Sequence, residues 1–158
     1  ARVIDIGCGP GHFSVALAHA GAQRVIGLDV SDQMLEIARA HAKTHDVSEK
    51  IDWIEGDASV YRPETDMDFT IVMGVMDYIE DPAPFIQHLL SYTKGRLLFS
   101  FPASEGLLAA QRKLRYRNKT PLYLYSHEQL VALFEDIAPG QTSIEKLARD
   151  YFVEVTIS

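Results

Sequence analysis

An acid and three glycines stand together at the start of the chain, Asp5, Gly7, Gly9 and Gly11 in Val3-Ile4-Asp5-Ile6-Gly7-Cys8-Gly9-Pro10-Gly11. A glycine-rich turn between an apolar strand and a helix lets the backbone pass close beneath a ligand. The free amide hydrogens of the next helix then point at that ligand, which suits a nucleotide-type cofactor. A GxGxxG dinucleotide fingerprint beginning at Gly7 needs its third glycine at position 12, but His12 stands there and the glycine comes one residue early. That spacing argues against NAD or FAD. Asp29 follows Gly7 by twenty-two residues, at the end of the apolar run Arg24–Leu28. An acid at that distance accepts hydrogen bonds from ribose hydroxyls, of whichever cofactor carries them. The competing reading makes Asp29 a cap for the helix that Ser31 opens.

These residues need a scaffold, and the hydrophobic pattern supplies one. Near-continuous apolar runs at Val3–Ile6, Arg24–Leu28, Phe69–Met73 and Leu97–Phe101 suit strands covered on both faces, hence a parallel sheet. Helical stretches alternate with them. His12 to Ala20 stops at Gly21, and Ser31 caps a helix through about Ala42. Asp81-Pro82 opens a helix that holds Phe85, Ile86, Leu89 and Leu90. Ser126 with Gln129 makes a capping box for a helix through Phe134. At the C-terminus Tyr151, Val153, Val155 and Ile157 alternate with Phe152, Glu154 and Thr156. This period of two predicts an antiparallel or edge strand, paired with one near Ser143–Ala148. The fold class is therefore α/β, a doubly wound, mostly parallel sheet closing on an antiparallel C-terminal strand.

The pattern DxGxGxG at Asp5–Gly11, followed by Asp29 and by Gly56-Asp57, resembles motif I and its companions in the class I S-adenosylmethionine-dependent methyltransferases. The resemblance covers nearly the whole chain and is closest at Val3–Gly11. It implies a Rossmann-like methyltransferase fold with a seven-stranded sheet, and S-adenosyl-L-methionine as cofactor. By the resemblance, Gly7, Cys8, Gly9 and Gly11 underlie the methionine and ribose, and Asp5 lies near the cofactor's amino group. Val30 joins the cofactor-binding set, Met34 packs on the adenine, Asp57 accepts from the adenine amino group with Ala58 beside it, a plain turn being the alternative for Gly56-Asp57, and Met73 ends the fourth strand near the methyl group. Many members carry histidine near position 77. Here Asp77-Tyr78 stands instead, so no general base carries over, and these two residues are the candidates for positioning an acceptor proton.

Length and composition bound the rest. The chain has 158 residues, 47% of them apolar, and a net charge of -7. That is enough for one core and one domain over 1–158, and the acidic balance disfavours nucleic acid as a partner. Cys8 is the single cysteine, so no intrachain disulfide forms, a reducing compartment fits, and a cytoplasmic location is expected. No apolar run reaches the length of a membrane span. The chain opens directly on a core strand, and a cap segment upstream of Ala1 is expected to complete the fold. Positive charge concentrates in a basic insertion at about 103–121, with five basic residues and no acid between Gln111 and Lys119. Arg112, Arg115 and Arg117 are candidates, with Tyr78, to bind the acceptor through an anionic group such as carboxylate or phosphate; a solvated helix face is the alternative. His41 and His45 share a helix face, but no third ligand accompanies them, so no metal site is expected. The function these readings support is methyl transfer from S-adenosylmethionine to a small-molecule acceptor by in-line displacement. An NAD-dependent oxidoreductase and a noncatalytic cofactor-binding or partner module are the alternatives.

Overall fold

The computed structural model describes residues 1–106, 109–111, 114 and 121–158. Seven strands form one sheet: β1 (Arg2–Ile6), β2 (Arg24–Asp29), β3 (Ile51–Glu55), β4 (Met67–Val72), β5 (Thr93–Pro102), β6 (Thr142–Leu147) and β7 (Asp150–Thr156). Their spatial order is β3-β2-β1-β4-β5-β7-β6. β1 pairs in parallel with β2 on one side and β4 on the other, so the winding reverses between β1 and β4. Such a reversal opens a crevice beyond the carboxyl ends of the strands, where ligands of open α/β sheets bind.

β7 pairs antiparallel with both β5 and β6, so it alone runs against the rest. The terminal alternation and its pairing partner were legible in the sequence, and the edge position goes to β6. Burial explains this: Tyr151, Val153 and Val155 of β7 are buried, whereas most of β6 is exposed and carries Ser143, Glu145 and Lys146. Polar, charged residues suit an edge with unpaired backbone groups.

Helices α1 (His12–His19) and α2 (Asp32–Thr44) pack on β1 to β3, while α3 (Pro82–Leu90) and α4 (His127–Ile137) pack toward β5 and β6. The core divides accordingly. One cluster joins Val3, Val15, Ala18, Val25, Ala42 and Ile51. The larger centres on Phe99, Phe101 and Phe134, with Phe101 edge-on to Phe134 at 5.9 Å. Helix ends follow the sequence signals. Ser31 Oγ accepts from Met34 N at 3.3 Å. Ser126 Oγ accepts from Gln129 N at 3.2 Å while Gln129 Oε1 accepts from Ser126 N at 2.9 Å, a complete capping box. α2 and α4 run two and three residues beyond the expected Ala42 and Phe134.

Candidate functional site

The turn after β1 is held by a small set of backbone bonds. Gly7 N and Cys8 N both donate to the Leu28 carbonyl, at 2.8 and 3.0 Å, and Gly11 N donates to Cys8 O at 2.9 Å. Gly9 N donates to Asp29 Oδ2 at 2.8 Å and Ser31 N to Asp29 Oδ1 at 2.9 Å. One carboxylate thus clamps the glycine turn to the start of α2. The bond to Ser31 N matches the capping reading of Asp29, and each oxygen keeps a second lone pair.

The three glycines meet different surroundings. A Cβ on Gly7 would lie 2.4 Å from Val75 Cγ2, and one on Gly11 would lie 2.7 Å from Trp53 Cη2 and 2.9 Å from Ala38 Cβ. Those two are required by the protein's own packing. Gly9, at φ 52°, has no heavy atom within 4 Å of where its Cβ would sit. Here the turn presents left-handed backbone to open space, while Gly7 lies against the cavity.

Beneath the turn, Asp5 is only 2% exposed and its Oδ2 accepts from Ser14 Oγ at 2.6 Å. Burial pushes its carboxyl up to about 6, against the Ser14 hydrogen bond and with a further push from the Asp29 charge. Burial, aided by the same two carboxylates, also pushes the Cys8 thiol up to about 12. A thiol so protonated is inert, and Cys8 serves as a small residue in a tight bend.

A cavity of about 410 Å³ opens where β1 to β4 end, within the range of small-molecule sites. Of the residues singled out in the sequence, Gly7, Asp29, Val30, Asp57, Ala58 and Tyr78 line it. Val30 and Tyr78 are 71% and 52% exposed, as rim residues are. Asp57 opens a short turn, its Oδ1 accepting from Ser59 N at 2.8 Å and its carbonyl from Tyr61 N at 2.9 Å. Asp5, Cys8, Gly9, Gly11, Met34, Met73 and Asp77 are not in the lining. Asp77 belongs to a 3₁₀ turn, Met76–Tyr78, and its carbonyl accepts from Tyr123 N at 2.8 Å. Arg112, Arg115 and Arg117 lie outside the described residues. The sequence reading missed the apolar walls, chiefly Leu28, Val75, Ile79 and Phe85. Val75 and Ile79 flank the 3₁₀ turn, and their spacing after β4 was the available signal.

A smaller cleft of about 280 Å³ lies near the amino-terminal ends of β1, β2 and β4, where the Arg24 guanidinium is already engaged by Asp52. The winding reversal and the glycine turn favour the carboxyl-end cavity. His41 and His45 stack edge to face with centroids 4.6 Å apart, and His12 meets His41 at 4.9 Å. Among the described residues no group of three His, Cys, Asp or Glu is arranged to hold a metal. Nor, among them, is any helix long and apolar enough to cross a membrane.

Residues 3–95 match the family model of the methyltransferase domain. The chain belongs to the methyltransferase-domain family. It is 33% identical over 111 residues to a mitochondrial ubiquinone biosynthesis O-methyltransferase of Schizosaccharomyces pombe, a match covering 68% of this chain and 40% of that relative. It is 30% identical over 95 residues to a trans-aconitate 2-methyltransferase of Azoarcus sp., covering 60% and 35%. These matches therefore span less than half of either relative's length. Among solved structures, a magnesium protoporphyrin IX methyltransferase of Synechocystis PCC 6803 with bound S-adenosylhomocysteine superposes with a TM-score of 0.79 at 24% identity, covering 99% of this chain and 74% of that one. That likeness shows a shared fold, the Rossmann-like methyltransferase sheet.

Proposed function

We propose that the chain binds S-adenosyl-L-methionine in the cavity beyond β1 to β4 and transfers its methyl group to a small-molecule acceptor by direct in-line displacement. The observation that carries the reading is the Asp29 carboxylate, fixed by Gly9 N and Ser31 N at the mouth of a 410 Å³ cavity, beside a glycine whose missing side chain faces open space. Asp29 accepts the ribose hydroxyls with its remaining lone pairs. Asp57, exposed in the cavity lining, accepts from the adenine amino group, while Val30 and Ala58 give the ring apolar neighbours. Gly7 and Gly9 carry the methionine portion, and Asp5, Cys8 and Gly11 shape the turn from beneath. The sulfonium of the bound cofactor supplies an already activated methyl group. Holding an acceptor nucleophile in line can therefore provide much of the acceleration, up to about 7 to 11 kcal/mol in favourable cases. Tyr78, half-exposed on the cavity rim, is placed to meet that acceptor.

The acceptor class stays broad, since the relatives are named for ubiquinone biosynthesis and for trans-aconitate. We assign recognition of an anionic acceptor group to Arg112, Arg115 and Arg117, within one domain spanning 1–158. The test is release of radiolabelled methyl from S-adenosylmethionine into a panel of phenolic and carboxylic acceptors. Transfer to any of them supports the reading, and binding without transfer across the panel favours the noncatalytic module.

A further inference from the structure

The glycine turn after β1 has a second side-chain anchor besides Asp29, and it comes from the last turns of α2. Gly9 N donates to Asp29 Oδ2 at 2.8 Å, and Asp29 lines the cofactor cavity. The carbonyl of the next residue, Pro10, meets His41 Nδ1 at 3.3 Å. A carbonyl oxygen only accepts, so Nδ1 carries the hydrogen and His41 is the donor. The nitrogen of that same peptide group is held as well, because Gly11 N donates to Cys8 O at 2.9 Å. The His41 ring is itself braced. It is half-buried and stands edge to face with His12 at 4.9 Å and with His45 at 4.6 Å. Three residues before it, Ala38 is fully buried, with its Cβ 2.9 Å from where a Cβ on Gly11 would sit. Positions three apart share a helix face, so one face of α2 seats Pro10 and Gly11 together.

Resting on the cofactor reading above, we propose that His41 is a positioning residue for S-adenosylmethionine, its imidazole N–H pinning the Pro10 carbonyl so that the glycine turn is set before the cofactor arrives. Proline has no N–H, and its carbonyl is the one backbone handle that Pro10 offers. The glycines on either side of it, at φ 52° and 81°, leave the backbone there free to take other conformations unless something fixes it. His41 fixes it at Pro10 O, one residue from the amide that Asp29 holds at the cavity. A turn already in its bound shape loses less conformational freedom on binding, and the saving appears as affinity.

The test compares two substitutions in the full chain, with S-adenosylhomocysteine as the titrated probe. His41→Phe keeps an aromatic ring between His12 and His45 but loses the donor, and affinity should fall about three- to tenfold, the size of one net hydrogen bond. His41→Asn loses the ring but keeps an N–H at a similar reach from the backbone, and should bind within about twofold of the unmodified chain. A merely structural role predicts the reverse order, since the ring packing would then matter more than the donor. Unchanged affinity in His41→Phe, or equal losses in both variants, overturns the pin. The imidazole nitrogen resonances of the unmodified chain give an independent reading: neutral His41 should carry its hydrogen on Nδ1, and a hydrogen on Nε2 alone overturns the pin. If His41→Phe does not fold, those resonances decide. Failure of the unmodified chain to bind the probe overturns the cofactor reading itself, and with it the role of His41.

Discussion

Replacing Asp5 by Asn should change how stability depends on pH, with a sign and size fixed by the buried carboxyl under the glycine turn. Asp5 is 2% exposed and accepts a side-chain hydrogen bond from Ser14. Burial raises its carboxyl from an ordinary 3.8 to about 6. The folded chain thus holds this proton more tightly than the unfolded chain does, and between about pH 4 and 6 the folded state binds more protons. Stability contributed by the protonated group is complete below about pH 4 and declines as pH rises through 6. A shift of about two units corresponds to roughly 3 kcal/mol. The amide in Asp5→Asn cannot ionise, and it carries a constant offset, because its buried NH₂ needs partners that the site was not built to give. The offset cancels when the two proteins are compared across pH. Urea unfolding of both at pH 4.5 and 7.5 should show the variant gaining about 2 kcal/mol relative to the unmodified chain between those two values. Parallel pH profiles would refute the reasoning, since they would mean that folding leaves the Asp5 carboxyl at its ordinary affinity for the proton.

Other predictions concern packing, the cofactor and the acceptor. Gly27 pairs directly with Trp53 across β2 and β3, and a Cβ there would lie 2.5 Å from the Trp53 ring. Gly27→Ala should therefore cost about 1 to 3 kcal/mol of stability in urea unfolding, and adding Trp53→Leu should return part of it; an additive double variant would contradict this account of the clash. Asp29→Asn should weaken S-adenosylhomocysteine binding by about tenfold or more, because a charge-assisted acceptor is lost, and affinity within twofold of the unmodified chain in a titration would count against the ribose role. Arg115→Gln with Arg117→Gln should raise the KM for whichever acceptor the labelled-methyl panel identifies while leaving S-adenosylhomocysteine affinity unchanged. Unaltered acceptor kinetics would remove those arginines from recognition.

The sheet could be read from the sequence because burial on both faces writes itself as uninterrupted apolar runs. β1 is the clearest case: Val3, Ile4, Asp5 and Ile6 are all buried, and the one polar residue among them is the acid of the glycine motif. The reversed β7 was equally legible, since its alternating pattern matches its alternating burial. The division of labour among the glycines was not. Gly11 is explained by Trp53 and Ala38, which come from β3 and α2, and such a contact has no signature in the local pattern of residues 5–12. Ser14, the partner that makes a buried Asp5 tolerable, looks in sequence like any small helix residue. The cavity's apolar walls were hidden for a related reason. Leu28 reads as strand core and Phe85 as helix core, and only the folded chain brings both to one space. Met34 and Met73 were drawn in by analogy, and their half-buried side chains stay outside that lining.

The central claim is that this cavity is built for S-adenosylmethionine, while Asp29 alone would suit the ribose of NAD as well. Isothermal titration of the chain with S-adenosylhomocysteine and, separately, with NAD tests it most directly. The account predicts saturable one-to-one binding of S-adenosylhomocysteine and no binding of NAD at matched concentration. Binding of NAD without S-adenosylhomocysteine would contradict it.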